Sequence, residues 1–302
     1  MSTEFTVTPG IEEFAEISSL EVLNHFRVNP LSLSGRLIKA LTRLPARRFA
    51  RLATRFDQLV GTHGLQHAAL SIRSHFIPRL KIIGSELVPS DGPVLVAVNH
   101  PGGADSIALI SSVPRPDVYA IVGERPLLRA LVNCGRHFIF ISPQGSTRME
   151  GMRTAIARLH TGQTMLIFPR GSPEPDPAFM PGALESLRCW SNSIGIFLRK
   201  VPSARFVPAI ISGTISPKVP RSPLVRLCKT AKTRLQLCLT LQLALQQLFP
   251  SYLPTCVTVR FGSPVSAERL SPSLDVDELT HSAVEHTAAL LAQDNPQISA
   301  AL

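Results

Sequence analysis

No window of eighteen uninterrupted apolar residues occurs in this sequence, so no membrane-spanning helix is expected. The opening, MSTEFTVTPGIEE, is acidic and lacks the apolar core of a secretory leader, so no signal peptide is expected. Cysteine is sparse: five residues, at 134, 189, 228, 238 and 256, never spaced C-x-x-C. That pattern favours reduced thiols in a cytoplasmic chain over a disulfide frame or a zinc site. Aromatic residues are also few, with one Trp and two Tyr. The stacking platforms that hold single-stranded nucleic acid are therefore missing, and no motif that reads DNA is present. No H-x-H or H-E-x-x-H cluster completes a metal ligand set.

The scarcest feature is negative charge in two long stretches. Arg27 to Lys81 holds eleven Lys/Arg and one acid, Asp57, and Ser186 to Ala267 holds eleven Lys/Arg and no acid. These blocks hold more than the whole net charge of +10. A field of one sign favours an anionic membrane, an anionic lipid or nucleic acid, whereas a merely solubilising face usually mixes both signs.

What is plentiful is apolar material. At 302 residues, 44% hydrophobic and 17% charged, the chain suits one large domain or one domain with a helical extension. A helix is expected from Ile11 to Phe26. From Leu31 to about Phe76 the pattern is helical and basic: Leu37, Ile38, Leu41 and Leu44 make one stripe, and Pro45 is expected to restart the helix. Phe49, Leu52, Ala53, Phe56 and Leu59 continue the stripe. Such a face can lie in a membrane interface or pack on the domain. Beyond Leu80 the period changes. Strands are expected at 81–83, 94–98, 118–122, 138–141, 165–168, 206–211 and 256–261. Helices are expected at 127–132, 147–160, 183–190 and 275–292, the last begun by a cap pattern of Asp275 and Glu278. LQLCLTLQLAL, 235–245, alternates like a strand but is made of helix formers; a helix begun at Leu224 is the preferred reading. Alternating strands and helices define an α/β protein with a mixed, largely parallel β-sheet flanked by helices and an N-terminal basic helical extension.

The chemistry concentrates in VLVAVNHPGGADSIALI, Val94 to Ile110. A buried strand stops at Asn99-His100-Pro101-Gly102-Gly103, and Asp105 or Ser106 caps the next helix. A Gly-Gly turn lets Asp105 fold back on His100. A carboxylate on one ring nitrogen fixes the tautomer and leaves the other nitrogen free as a base. The remaining histidines of the helical flanks (63, 67, 75, 281 and 286) read as surface or packing residues.

NHPGGADS resembles the first motif of the glycerolipid and lysophospholipid acyltransferase family, of the 1-acylglycerol-3-phosphate O-acyltransferase type. MLIFPRGS, Met165 to Ser172, is similar to that family's acceptor-binding F-P-E-G-T/S: Phe168, Pro169, Gly171 and Ser172 agree, and Arg170 replaces the glutamate. Glu174 and Asp176 follow and can substitute for it in space. VPAIISG, Val207 to Gly213, resembles the fourth motif. GRHFIFI, Gly135 to Ile141, resembles the second, but the expected arginine is Ser142; Arg125, Arg136 and Arg148 are the nearby cations that can hold an anion instead. The resemblance covers about residues 80–292. It implies a glycerol-3-phosphate acyltransferase-like fold, with residues 1–79 as an N-terminal helical region and 80–302 as the acyltransferase domain. It implies acyl transfer from an acyl-CoA or acyl-carrier-protein thioester to a lysolipid hydroxyl, His100 as base and Asp105 as its orienting group, without cofactor or metal. Backbone amides at Gly102, Gly103 or Gly171 would steady the oxyanion. The expected setting is cytoplasmic and peripherally bound to an anionic membrane surface, with no nucleic acid partner. A catalytically silent anionic-lipid-binding protein of the same fold stays open, supported by the changes at Arg170 and Ser142. So do a nucleic-acid binder, supported by charge alone, and a metal hydrolase built on His100 and Asp105.

Overall fold

The computed structural model describes residues 5–142, 146–250 and 252–294. Three helices come first: α1 Ile11–His25, α2 Leu33–His63 and α3 Leu65–Phe76. Strands and helices then alternate: β1 Arg79–Ile83, β2 Val94–Val98, α4 Asp105–Ser112, β3 Val118–Gly123, α5 Pro126–Arg129, β4 Phe138–Ile141, α6 Ser146–His160 and β5 Thr164–Ile167. The second half holds α7 Ala183–Leu187, α8 Ser193–Lys200, β6 Arg205–Ser212, α9 Pro223–Arg226, α10 Ala231–Leu248, β7 Cys256–Phe261, β8 Val265–Ser266, α11 Ala267–Leu270 and α12 Val276–Asp294.

The strands form one sheet in the order β1-β7-β6-β2-β5-β3-β4, with β8 on β6. Pairing is parallel except where β6 meets β7 and β8. Strand β2 lies between β5 and β6 and is buried along its whole length. Both faces of such a strand must be apolar, which explains an unbroken VLVAV. Alternate side chains serve opposite layers. Val94, Val96 and Val98 join a core built with α1 to α4, while Leu95 and Ala97 join one built with α6, α7, α8 and α12. The first core contains Phe14, Ala50, Val60, Leu65 and Phe76, so helices before residue 79 share a continuous core with the sheet. Asp57, the lone acid of the first basic block, is fully buried there. It accepts hydrogen bonds from Thr8 Oγ1 (2.5 Å), Asn133 Nδ2 (3.0 Å) and Cys134 N (2.9 Å), which tie the N-terminal segment, α2 and the turn before β4 together.

Several expectations are corrected. Helix α2 does not restart at Pro45. It runs through that residue, which is buried. Proline's fixed φ is helical and costs one backbone hydrogen bond, which packing offsets. The break comes at Gly64, whose φ of +82° suits glycine. The two halves of α2 behave differently. After Pro45, Phe49, Leu52, Phe56 and Leu59 pack into the core. Before it, Leu33 (85% exposed), Leu37 (61%), Leu41 (70%) and Leu44 (52%) face outward. The segment 235–245 is helical, but the helix begins at Ala231 with Thr230 as its cap, and α9 is separate. Helix α8 lies in a stretch assigned no element from sequence. Asp275 Oδ1 accepts from the amides of Asp277 and Glu278, but the Glu278 carboxylate turns to Ser271 and Ser273, so only half of the reciprocal cap forms.

Candidate active site

In open α/β sheets, ligands sit outside the carboxyl ends of the strands. Strands β2 and β5 are parallel neighbours, with Ala97 beside Ile167, so the loops bearing His100 and Phe168 leave the same edge side by side. The imidazole of His100 and the ring of Phe168 lie 4.6 Å apart between centroids.

The turn after β2 is shaped by two consecutive glycines with positive φ, Gly102 at +82° and Gly103 at +70°. They bring Asp105, the first residue of α4, back to His100. Asp105 Oδ2 lies 2.7 Å from His100 Nδ1 and accepts from Gly102 N at 2.7 Å, while Oδ1 accepts from Ser106 N at 2.6 Å. An ionised carboxylate only accepts, so Nδ1 carries the proton and Nε2 is left as the basic nitrogen. Burial pushes the Asp105 pKa up, but the charge and hydrogen bond of His100 and the two backbone amides outweigh it. The carboxyl stays below its usual range. For His100, burial opposes protonation, yet the Asp105 charge and hydrogen bond, helped by Glu174, leave its pKa above the ordinary value; Arg125 pulls the other way. The imidazole is 28% exposed and Asp105 only 2%, so the base is reachable and its partner is not.

Glu174 does occupy the space beside His100. Its Oε2 accepts from His100 N at 2.7 Å, and its own N donates to His100 O at 2.7 Å. Its Oε1 accepts from Ser186 Oγ at 2.9 Å and Trp190 Nε1 at 3.1 Å. Burial raises the Glu174 pKa against these donors. Asp176 is buried as well and binds Gly213 N, Ile215 N and Ala178 N, fixing the loop after β6. Asn99 exchanges two hydrogen bonds with Ile211. Its Nδ2 donates to Ile211 O at 2.9 Å, and its Oδ1 accepts from Ile211 N at 2.7 Å, which closes the floor between β2 and β6. Sequence reasoning did not assign Asn99 a role; its place beside His100 at a strand end was the available signal.

The other expected residues divide. Pro169 is buried, and Arg170, Gly171 and Ser172 are exposed. Arg170 pairs with neither Glu174 nor Asp176, because both carboxylates are buried and turned to other donors. Its Nη1 points at Cys189 O, 3.5 Å away. Arg125 is exposed and close enough for its charge to act on His100. Arg136 precedes β4, at the amino end of a strand whose carboxyl end faces the site, so it lies at the wrong edge of the sheet. Arg148 is exposed in the first turn of α6. Two of the three amides expected for an oxyanion are engaged, Gly102 N with Asp105 and Gly171 N with Phe168 O, which leaves Gly103. Among the described residues no group of three His, Cys, Asp or Glu side chains is placed to hold a metal ion. No helix among them is long and apolar enough to cross a membrane.

A histidine base held by a buried carboxylate at a strand end suits transfer of a group to a hydroxyl. Residues 79–212 match the family model described as Acyltransferase. A solved structure with a similar arrangement is the 1-acyl-sn-glycerophosphate (LPA) acyltransferase PlsC from Thermotoga maritima. It is 17% identical, with a TM-score of 0.46 over 92% of this chain and 97% of that one. No curated protein sequence matches the chain.

Proposed function

We propose that the protein moves a fatty acyl group from an acyl-CoA or acyl-carrier-protein thioester to a hydroxyl of a lysophospholipid or related lipid. The observation that carries this is the 2.7 Å pairing of His100 Nδ1 with Asp105 at the carboxyl end of β2, inside the stretch that matches the Acyltransferase family model. His100 Nε2 takes the acceptor's hydroxyl proton as its oxygen attacks the thioester carbonyl. The tetrahedral oxyanion collapses, the carbon–sulfur bond breaks, and the imidazolium returns the proton to the leaving thiolate. Asp105 orients the ring and stabilises its charged form. Gly103, exposed beside His100, is the glycine left to offer an amide to the oxyanion. Arg125, whose field reaches His100, and Arg170, exposed on the neighbouring loop, flank the opening and suit an anionic group of the acceptor.

The protein works at a membrane surface as a peripheral protein. The outward leucines of the first half of α2 support this. They follow i, i+4 and i+3 spacing, and cations of the same helix lie beside them. On the opposite side α2 is held to α1 by Lys39–Glu16 (2.5 Å) and Arg47–Glu12.

The test is a radiolabelled acyl-thioester assay with CoA and carrier-protein donors across a panel of lysolipids. Transfer by the wild type and none by His100→Ala is expected. Absence of transfer from every donor, with anionic-lipid binding intact, would replace this reading with the silent lipid-binding one.

A further inference from the structure

Helix α10 buries glutamine where a helix of this composition would be expected to bury leucine. Its buried residues are Cys238, Gln242, Gln246 and Gln247. Its leucines, at 235, 237, 239, 241, 243, 245 and 248, are all only partly buried. A helix lying on a soluble domain ordinarily turns its leucines inward and its glutamines to water. Gln242 and Gln246 are accommodated by hydrogen bonds: Gln242 Nε2 to Thr214 O (2.6 Å), Ser216 N to Gln242 Oε1 (2.7 Å), and Gln246 Nε2 to Phe76 O (3.1 Å). The buried side-chain amide of Gln247 has no partner. Buried glutamines therefore grip the domain, while the leucines, spread around the helix, pack in part on the cluster of Ile215, Val219 and Val225 and, at Leu243, on the main core.

The short α9 packs against α10. Val225 is fully buried in a cluster with Cys238, Ile215 and Val219, onto which Leu237 and Leu241 pack. Its neighbours point the other way: Leu224 is 60% exposed and Leu227 78%. The same segment, 221–234, carries Arg221, Arg226, Lys229, Lys232 and Arg234 and no acid. All five are exposed, and among the described residues none forms a salt bridge. Two apolar tips inside an unneutralised cationic rim complement an anionic bilayer: headgroups meet the cations and acyl chains meet the leucines.

Helix α10, which continues this segment, reaches the site. A Cβ placed on Gly102 would fall 2.7 Å from Leu239 Cδ1, so α10 rests directly on the turn that joins His100 to Asp105. Near its other end, Arg48 Nη1 donates to the carbonyls of Gln247 (2.9 Å) and Leu248 (3.1 Å), anchoring α10 to α2. His25, at the end of α1, is depressed in pKa by burial and then by the charges of Arg125 and Lys232, so the cation at the start of α10 and the cation facing His100 act on one side chain.

We propose that α9 and the 227–234 link form a bilayer-docking element, distinct from the leucine stripe of α2, which seats anionic phospholipid at the mouth of the active site. The proposal rests on the peripheral-membrane reading and adds a particular contact to it. A lipid acceptor held there need not cross water to reach His100.

The experiment uses the full-length protein with Leu227→Trp. The native Trp190 is buried and gives a constant background. Co-sedimentation with phosphatidylglycerol–phosphatidylcholine vesicles reports on membrane binding as a whole. Emission from the introduced indole, and its quenching by dibrominated acyl chains, report on this element. The expected result is co-sedimentation with a blue-shifted, quenched indole at position 227, and binding that weakens about fivefold for each of Arg226→Gln, Lys229→Gln and Lys232→Gln. Co-sedimentation with that indole still water-exposed and unquenched overturns the docking element and leaves the membrane reading standing. No co-sedimentation overturns both. A response of the same indole to a single-stranded oligonucleotide but not to vesicles would make this a nucleic-acid face and overturn the proposal.

Discussion

Two loops leave the same edge of the sheet and are held in opposite ways. The loop after β2 is locked: His100 is bonded through its ring, its amide and its carbonyl, and Asp105 through both oxygens. The loop after β5 is fixed at Pro169 and again at Glu174 and Asp176, yet Arg170, Gly171 and Ser172 between them lie exposed. Proton transfer needs a base held to a fraction of an ångström, and the first loop supplies that. In the proposed reaction an acceptor has to meet reachable groups, and the second loop has them at residues 170–172.

The comparison is broken most severely at His100. His100→Ala should lower kcat by about a thousandfold or more while circular dichroism and Tm stay near wild type, because a positioned base contributes about a hundred- to ten-thousandfold and the proposed mechanism has no other. Equal turnover by the folded variant would remove the first loop from the chemistry. Asp105→Asn should cost about a hundredfold in kcat. It also carries a pH signature. In the proposed mechanism the neutral form of His100 is the base, so activity should rise with pH through its pKa, which Asp105 holds above the ordinary imidazole value against burial. Losing the Asp105 carboxylate removes the chief influence that raises this pKa and leaves burial, the largest influence, and Arg125 to lower it against Glu174 alone. The acid limb of the kcat/KM profile should therefore move to lower pH. A limb that stays in place would show that another group titrates.

Glu174→Gln tests the clamp between the loops. The amide keeps the shape and one acceptor oxygen, so it can serve either His100 N or the Ser186 and Trp190 pair, and its NH2 is set against the other donor. A stability loss of about 1–3 kcal/mol and a fall in kcat of about tenfold are expected, with both KM values unchanged. Restoration of kcat without restoration of Tm, or the reverse, in Glu174→Asp would separate the two effects. The smallest effect is expected at Arg170. Arg170→Gln should raise the acceptor KM about fivefold, the worth of one exposed charge contact, and leave donor KM and Tm alone. A fall in Tm in step with activity would make it a loop-shaping residue instead.

How far the sequence went follows the same division. Strand β2, the corner after it and the His100–Asp105 pair were legible because each depends on neighbours in the chain: an apolar run, two glycines, and a carboxylate five residues on. Strands β4 and β7 were also read at their true bounds for this reason. The fate of Glu174 was only half legible. Its place in SPEPD suggested a substitute for the missing glutamate, but its bond to a backbone amide 74 residues away depends on strand order. Arg136 misled because it is near a motif in sequence and at the far edge of the sheet in space. Helix α2 shows the limit most clearly. One continuous stripe of Leu and Phe reads as one face that either packs on the domain or lies in a membrane interface, yet only the half beyond Pro45 joins the core. Nothing in the stripe itself records where the partner ends.

The mutual bonding of His100 and Glu174 has a consequence for how such a site can change. It staples the recognition loop just downstream of its exposed tip, so residues 170–172 form a short span strung between fixed posts. Replacement there alters what the tip offers to an incoming molecule without transmitting strain to the imidazole. The span is a place where specificity is rewritten while the reacting group stays put. An arginine stands where the resemblance leads one to expect an acid, and the carboxylate that does reach His100 comes from the post, at Glu174.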